Sequence, residues 1–380
     1  MNAPLRDPTC GLIAGEASGD LLGAHLMSAL AARRADVRFE GIAGPRMVEA
    51  GARALYSSER LAVNGLADVL VHLPGLLRLR RDIVGHFLAH RPAVFVGIDA
   101  PDFNFDVEAR LKAAGIPTVH FVSPSLWAWR PERIEKIRAA VSRMLVVFPF
   151  EREIYQQAGI PVTYVGHPLA DELPLDPDVA GARRSLGLAA GVPIVALLPG
   201  SRMGEVQRLA PVMLEAAQHI RRRLPEARFV LPAAPGRVNR WLRTKIAGLD
   251  LPLTLTPGRS IEAMTAADVV LLASGTATLE AALLKKPMVI AYILPWLTKA
   301  WVKNKLLLPY VGLPNILHRE FVVPEMIQDQ ATPKRLAAAV LDWLEHPGRC
   351  QAVAARFTEL HRQLRCNAAE RIAEALLPYL

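Results

Sequence analysis

ADVVLLASGTATLEAALLKKPMVIAY (267–292) holds two short apolar runs, Asp268–Leu272 and Met288–Tyr292, on either side of a stretch with helical spacing. Runs this short and this apolar suit strands buried on both faces, and a helix between two such strands makes them parallel neighbours. Ser274, Gly275 and Thr276 fall where the first strand hands over to the helix, and Glu280 lies about one turn further in. Hydroxyls at that junction are N-caps in ordinary helices; they equally suit a helix start that receives a phosphate.

The alternation repeats on both sides of this unit. Strands are predicted near Ile194–Leu198, Arg228–Leu231 and Leu253–Leu255 in the second half of the chain. In the first half they fall near Cys10–Ala14, Val37–Ile42, Ala93–Ile98, Pro117–Val122, Arg143–Phe148 and Val162–Val165, with helices over Asp20–Arg34, Leu73–His90 and Asn104–Ala114. HPLADELPLDPDVAG (167–181) breaks the pattern and reads as a linker. The prediction is an α/β protein: a first domain over 1–166, a second over 182–345, and C-terminal helices over 346–380. Two doubly wound domains facing one another leave a cleft at the carboxyl ends of their strands, where such sheets bind ligands.

Composition narrows the class. The chain has 380 residues, of which 52% are hydrophobic and 21% charged, so disorder is excluded and two cores are affordable. An excess of 45 Lys and Arg over 36 Asp and Glu gives +9, which suits an anionic partner: nucleic acid, an anionic lipid surface or a phosphorylated substrate. Three cysteines without CxxC spacing argue against a disulfide framework or structural zinc and fit a reducing compartment. The chain shows no secretory leader pattern, and no apolar stretch reaches spanning length.

Four further stretches carry candidate chemistry. In GEASGD (15–20) the glycines match neither G-x-G-x-x-G nor a P-loop, which disfavours a nicotinamide dehydrogenase. The stretch reads as a tight turn capped by Ser18 or Asp20, although Glu16 has no evident structural task. VFVGIDAPDFN (94–104) delivers Asp99 and Asp102 to the end of a buried strand; Asp102 or Asn104 suits a helix cap, whereas Asp99 precedes Pro101 and suits a general base. HFVSPSLWAWRPERIEKIR (120–138) places His120, Ser123, Ser125, Trp127, Trp129 and Arg130 after the next strand, either packing the wall or facing a ligand. IVALLPGSRMGEVQRL (194–209) ends a strand at Ser201 and Arg202, a phosphate cradle unless Arg202 merely pairs with Glu205.

Two stretches mix apolar and basic residues as membrane-surface segments do. In ADVLVHLPGLLRLRR (67–81) these are Leu73, Leu76 and Leu77 with Arg78, Arg80 and Arg81; in 293–317 they are Trp296, Trp301 and Tyr310 with Lys299, Lys303 and Lys305. Core helices with solvated basic faces are the alternative.

Together GEASGD, GIDAPDFN (97–104), SPSLWAWR (123–130), LLPGSR (197–202), LLASGTATLE (271–280), GLPN (312–315) and RCNA (365–368) resemble the lipid-A-disaccharide synthase family, in collinear order along essentially the whole chain. Met203 stands where relatives carry small residues. The resemblance implies a GT-B fold of two Rossmann-like domains and an inverting, metal-independent hexosyltransferase without a cofactor. It would join UDP-2,3-diacylglucosamine to 2,3-diacylglucosamine 1-phosphate (lipid X), giving lipid A disaccharide 1-phosphate and UDP. It places UDP at Ser201, Arg202, Ser274, Gly275, Thr276 and Glu280 with Asn315 nearby, makes Asp99 the base, and puts Glu16, Ser18 and His120 on the acceptor side. The GT-B fold commonly returns its last helix to the first domain. The partners implied are the two lipid substrates and the anionic inner face of the cytoplasmic membrane of a Gram-negative bacterium, not nucleic acid; an oligomer is allowed. Rival readings are another UDP-sugar GT-B enzyme, either the peptidoglycan N-acetylglucosaminyltransferase or a UDP-sugar 2-epimerase, and a non-catalytic nucleotide-binding protein docked on membranes.

Overall fold

The computed structural model describes residues 8–15, 17–61, 66–129, 131–295 and 307–380, with backbone alone for 17, 66–72, 128 and 129. The chain divides into two compact units, residues 1–171 with 364–380, and residues 172–363.

Among the described residues the first unit is built on parallel strands β1 (Thr9–Ala14), β2 (Arg38–Ala43), β3 (Arg53–Ser57), β4 (Val94–Ile98), β5 (Thr118–Phe121), β6 (Arg143–Val146) and β7 (Val162–Tyr164). Their order is β3-β2-β1-β4-β5-β6-β7, so the winding reverses between β1 and β4. β1, β4 and β5 are almost wholly buried because helices cover both faces. One core joins Ile13, Ile42 and Phe95 to Leu79, Ile83 and Phe87 of the helix Leu66–Ala89; another gathers Phe105, Ile137, Met144 and Tyr155.

The second unit repeats the plan with β8 (Ile194–Leu198), β9 (Arg228–Leu231), β10 (Leu253–Leu255), β11 (Val269–Ala273), β12 (Met288–Tyr292) and β13 (Glu325–Ile327). Their order is β10-β9-β8-β11-β12-β13, again parallel, and the reversal lies between β8 and β11. The helix Met203–Arg223 passes through Pro211 without ending there.

The stretch 167–181 is not featureless. It contains the helix Pro168–Glu172 and the start of Val179–Ser185, which Asp178 caps by accepting the Gly181 N–H at 2.8 Å. Proline at the first helical position and aspartate at the N-cap start helices as readily as they stop them. At the other end of the first unit, the helix Ala368–Leu376 packs on the helix Ala17–Arg33. Asp171 accepts the Asn367 and Ala368 N–H groups at 2.9 and 2.6 Å.

Candidate active site

In the first unit the loops after β1 and β4 meet at the reversal point. A Cβ on Gly15 would lie 2.6 Å from the Cβ of Ala100, so only glycine lets the two turns approach this closely. Asp99 and Ala100 both take left-handed backbone angles, φ +51° and +43°. Such angles cost about 1–2 kcal/mol per residue for ordinary side chains, less for Asp. Val122, at the end of neighbouring β5, is also left-handed at φ +78°, an outlier for a β-branched residue. The elbow is pinned on two sides: the Asp99 N–H donates to Phe121 O at 2.9 Å, and Asn104 Nδ2 donates to Asp99 O at 2.8 Å. The Asp99 side chain is half-buried and forms no ion pair among the described residues. Strain of this kind, held by surrounding structure, clusters at functional sites.

Neighbouring candidates fare differently. Ser18 is exposed in the first turn of the helix Ala17–Arg33, while Glu16 lies outside the described residues. Asp20 caps a different helix from the one expected: it is buried and accepts the Arg46 and Met47 N–H groups at 2.9 and 3.0 Å, at the start of Pro45–Glu49. Asp102 pairs with Arg133, and the helix Pro101–Ala113 has no side-chain cap. His120 does not face the surface. It is fully buried, with Nδ1 2.7 Å from Glu108 Oε1, because β5 is covered on both faces.

Ser123 and Trp127 turn out to be anchored from below. Ser123 Oγ lies 2.7 Å from the Tyr155 hydroxyl, and Trp127 Nε1 donates to Glu151 Oε1 at 3.2 Å. Glu151 also accepts the Phe148 N–H at 3.0 Å, and burial pushes its carboxyl up to about 7. Sequence reasoning missed this residue; an acid directly after the apolar run VVFPF (146–150) was the available signal. Arg130 lies outside the described residues.

In the second unit, two helices begin at the corresponding reversal, Met203–Arg223 after β8 and Thr276–Leu283 after β11. Both present first-turn N–H groups and the positive end of a helix dipole. Ser201, Gly275 and Thr276 are exposed there, and Ser274 Oγ donates to Val311 O at 2.9 Å. Arg202 occupies the N-cap, its side chain 61% exposed and 3.9 Å from Glu205 Oε1. A pair that long and that exposed holds the guanidinium weakly. Arg208, also missed, lies back toward the helix start; a Cβ on Gly204 would be 3.4 Å from its Nη1, and its Nε donates to Ile293 O at 2.9 Å. Glu280 is half-buried, which raises its carboxyl above the usual range.

Asn315 requires a correction. It is fully buried and spent on the protein: Nδ2 donates to Val323 O and Glu325 Oε1 at 2.9 and 2.8 Å, and Oδ1 accepts the Val322 and Val323 N–H groups. Glu325 in turn accepts the Val311 and Gly312 N–H groups, so Asn315 braces the GLPN loop from within and does not line the surface. Arg80 leaves the membrane-facing set for a similar reason. Leu73, Leu77, Arg78 and Arg81 are exposed and Leu76 is half-buried, but Arg80 lies at the edge of the stripe that buries Ile83 and Phe87, paired with Asp106. The second basic stretch, around Trp296, Lys299, Trp301, Lys303 and Lys305, lies outside the described residues.

Two doubly wound parallel units, the second carrying paired helix starts beside an exposed arginine, define the GT-B class. The fold is similar to that of the kitacinnamycin glycosyltransferase, with a TM-score of 0.65 at 18% identity over 98% of this chain and 99% of that one. It is similar also to the UDP-GlcNAc 2-epimerase of Neisseria meningitidis, at 0.66 and 11% over 97% and 100%. The family model for Lipid-A-disaccharide synthetase matches residues 10–376. The lipid-A-disaccharide synthase of Thiobacillus denitrificans is 61% identical over 97% of this chain and 99% of its own. The chain belongs to the lipid-A-disaccharide synthetase family and is a glycosyltransferase of lipid A biosynthesis.

Proposed function

We propose that the chain transfers 2,3-diacylglucosamine from UDP to the 6-hydroxyl of 2,3-diacylglucosamine 1-phosphate with inversion, using Asp99 as the base. The observation that carries this is the strained elbow at the end of β4, which sets a half-buried carboxylate, unpaired among the described residues, at the reversal point of the sheet. Asp99 takes the hydroxyl proton as the oxygen attacks the anomeric carbon. The bond to UDP breaks, and its electron pair leaves on the diphosphate. The second unit stabilises that charge with N–H groups at the two helix starts, the hydroxyls of Ser201 and Thr276, and the guanidinium of Arg202. Glu280 takes the ribose hydroxyls. Leu73, Leu77, Arg78 and Arg81 rest on the anionic inner face of the cytoplasmic membrane; among the described residues no helix is long and apolar enough to cross it. Incubation with both lipid substrates, followed by mass spectrometry, should yield the disaccharide 1-phosphate and an equal amount of UDP. UDP release without a disaccharide would reject the reading.

A further inference from the structure

A buried polar cluster lies directly beneath the Asp99 elbow. Gly97 of β4 pairs with His120 of β5, and the helix Pro101–Ala113 lays Asn104 and Glu108, one turn apart, over them. Asn104, Glu108 and His120 are each 0% exposed. Only glycine fits at 97, because a Cβ there would sit 2.2 Å from Glu108 Oε1 and 3.0 Å from both Cβ and Cγ of Asn104. The polar atoms are half used. His120 Nδ1 meets Glu108 Oε1, whereas His120 Nε2, Glu108 Oε2 and Asn104 Oδ1 have no partner among the described residues.

Such a cluster is a poor way to fill a core, since apolar side chains of the same volume would pack without unmade bonds. Its contact with the surface chemistry is through Asn104, whose Nδ2 donates to Asp99 O at 2.8 Å and more weakly to Ile98 O at 3.5 Å. We propose that Asn104 is a positioning residue for Asp99, holding the left-handed elbow, with the Glu108–His120 pair wedging its amide in place over Gly97. This rests on the reading of Asp99 as the base.

A double-mutant cycle tests it. Asn104→Ala should lower kcat roughly 10–10²-fold, the usual effect of misplacing a catalytic group by about 1 Å. UDP affinity and the KM for the donor should stay within about twofold, since no ground-state contact is lost. In an Asp99→Asn background the same replacement should change kcat by less than about twofold, because no base remains to be positioned. Circular dichroism and thermal melting establish that each variant is folded; Asn104→Ser, too short to reach Asp99 O, runs the same cycle where Asn104→Ala does not fold. A full, independent loss on top of Asp99→Asn overturns the positioning role and leaves the base assignment standing. Wild-type turnover by Asp99→Asn removes both.

Discussion

Asp99 is held by its backbone, and no described residue pairs with its carboxylate, the arrangement expected of a group that must accept a proton from a ligand rather than from the protein. Asp99→Asn keeps the size of the side chain but not the proton acceptor, so kcat should fall about 10²–10⁴-fold. Melting temperature and UDP affinity should change little. Turnover near that of the wild type would eliminate it. Arg202 is held only weakly by Glu205 at the second-unit helix start, and Arg202→Ala should weaken UDP binding by roughly 1.5–3 kcal/mol, measurable by calorimetry. Unchanged affinity would mean that the diphosphate lies elsewhere. The position of Asp99 was legible from GIDAPD, because a buried strand ending before Pro101 leaves few places for it to go. Its left-handed angle was not, since it depends on Asn104 and Phe121. His120 and Asn315 misled for a common physical reason: a polar residue beside a motif looks like a ligand group until its buried partners, Glu108 and Glu325, are seen.

Elements were read more easily than side chains, because strands buried on both faces are continuous apolar runs that announce themselves. β3 and β13 escaped: RALYS (53–57) and EMI (325–327) are edge strands with no buried residue, and each opens on a charged residue instead of an apolar one, unlike the edge strands VTY (162–164) and LTL (253–255). The same limit applies to helix faces. In the helix Leu66–Ala89 the basic cluster looked uniform in sequence, yet it splits into exposed Arg78 and Arg81 and inward Arg80. Arg78→Glu with Arg81→Glu should therefore release the protein from anionic vesicles at low salt without changing its melting temperature. Arg80→Glu should instead lower the melting temperature by setting a carboxylate beside Asp106. Equal vesicle binding by the Arg78/Arg81 variant would remove this face as the contact. The loop 123–127 carries its own pH signature through Glu151. Burial raises this carboxyl from its ordinary 4.5 to about 7, so its contribution to stability is complete below 4.5 and is lost as pH rises through 7. That interval corresponds to roughly 3 kcal/mol at most. The melting temperature of the wild type should fall relative to that of Glu151→Gln between pH 5 and 8; a constant difference would show that Glu151 does not titrate there.

At the scale of the whole chain, the first unit is completed by residues 364–380, far in sequence from the rest of it. Arg33 and Glu370 stand 337 positions apart and form an ion pair, and Glu374 lies 3.1 Å from the same guanidinium. These charges are open to solvent, so screening leaves them little to contribute. The apolar side of the contact is different in kind. Leu364, Ile372 and Leu376 are buried, and Leu376 is completely so. Removing most of a buried leucine costs about 2–5 kcal/mol, through lost transfer energy and the cavity left behind. In a unit of this size each 1 kcal/mol moves the midpoint by roughly 2–4 °C. Leu376→Ala should thus lower the transition of the first unit by about 5–15 °C, an estimate that combines these two scales. Arg33→Ala should leave it nearly where it was. The measurement is calorimetric melting of both variants at equal salt. If the two replacements had the same small effect, the helix Ala368–Leu376 would be held by its charges or not held at all. The burial of its apolar face argues for the larger loss, with activity falling in step with the folded fraction rather than through a change in KM.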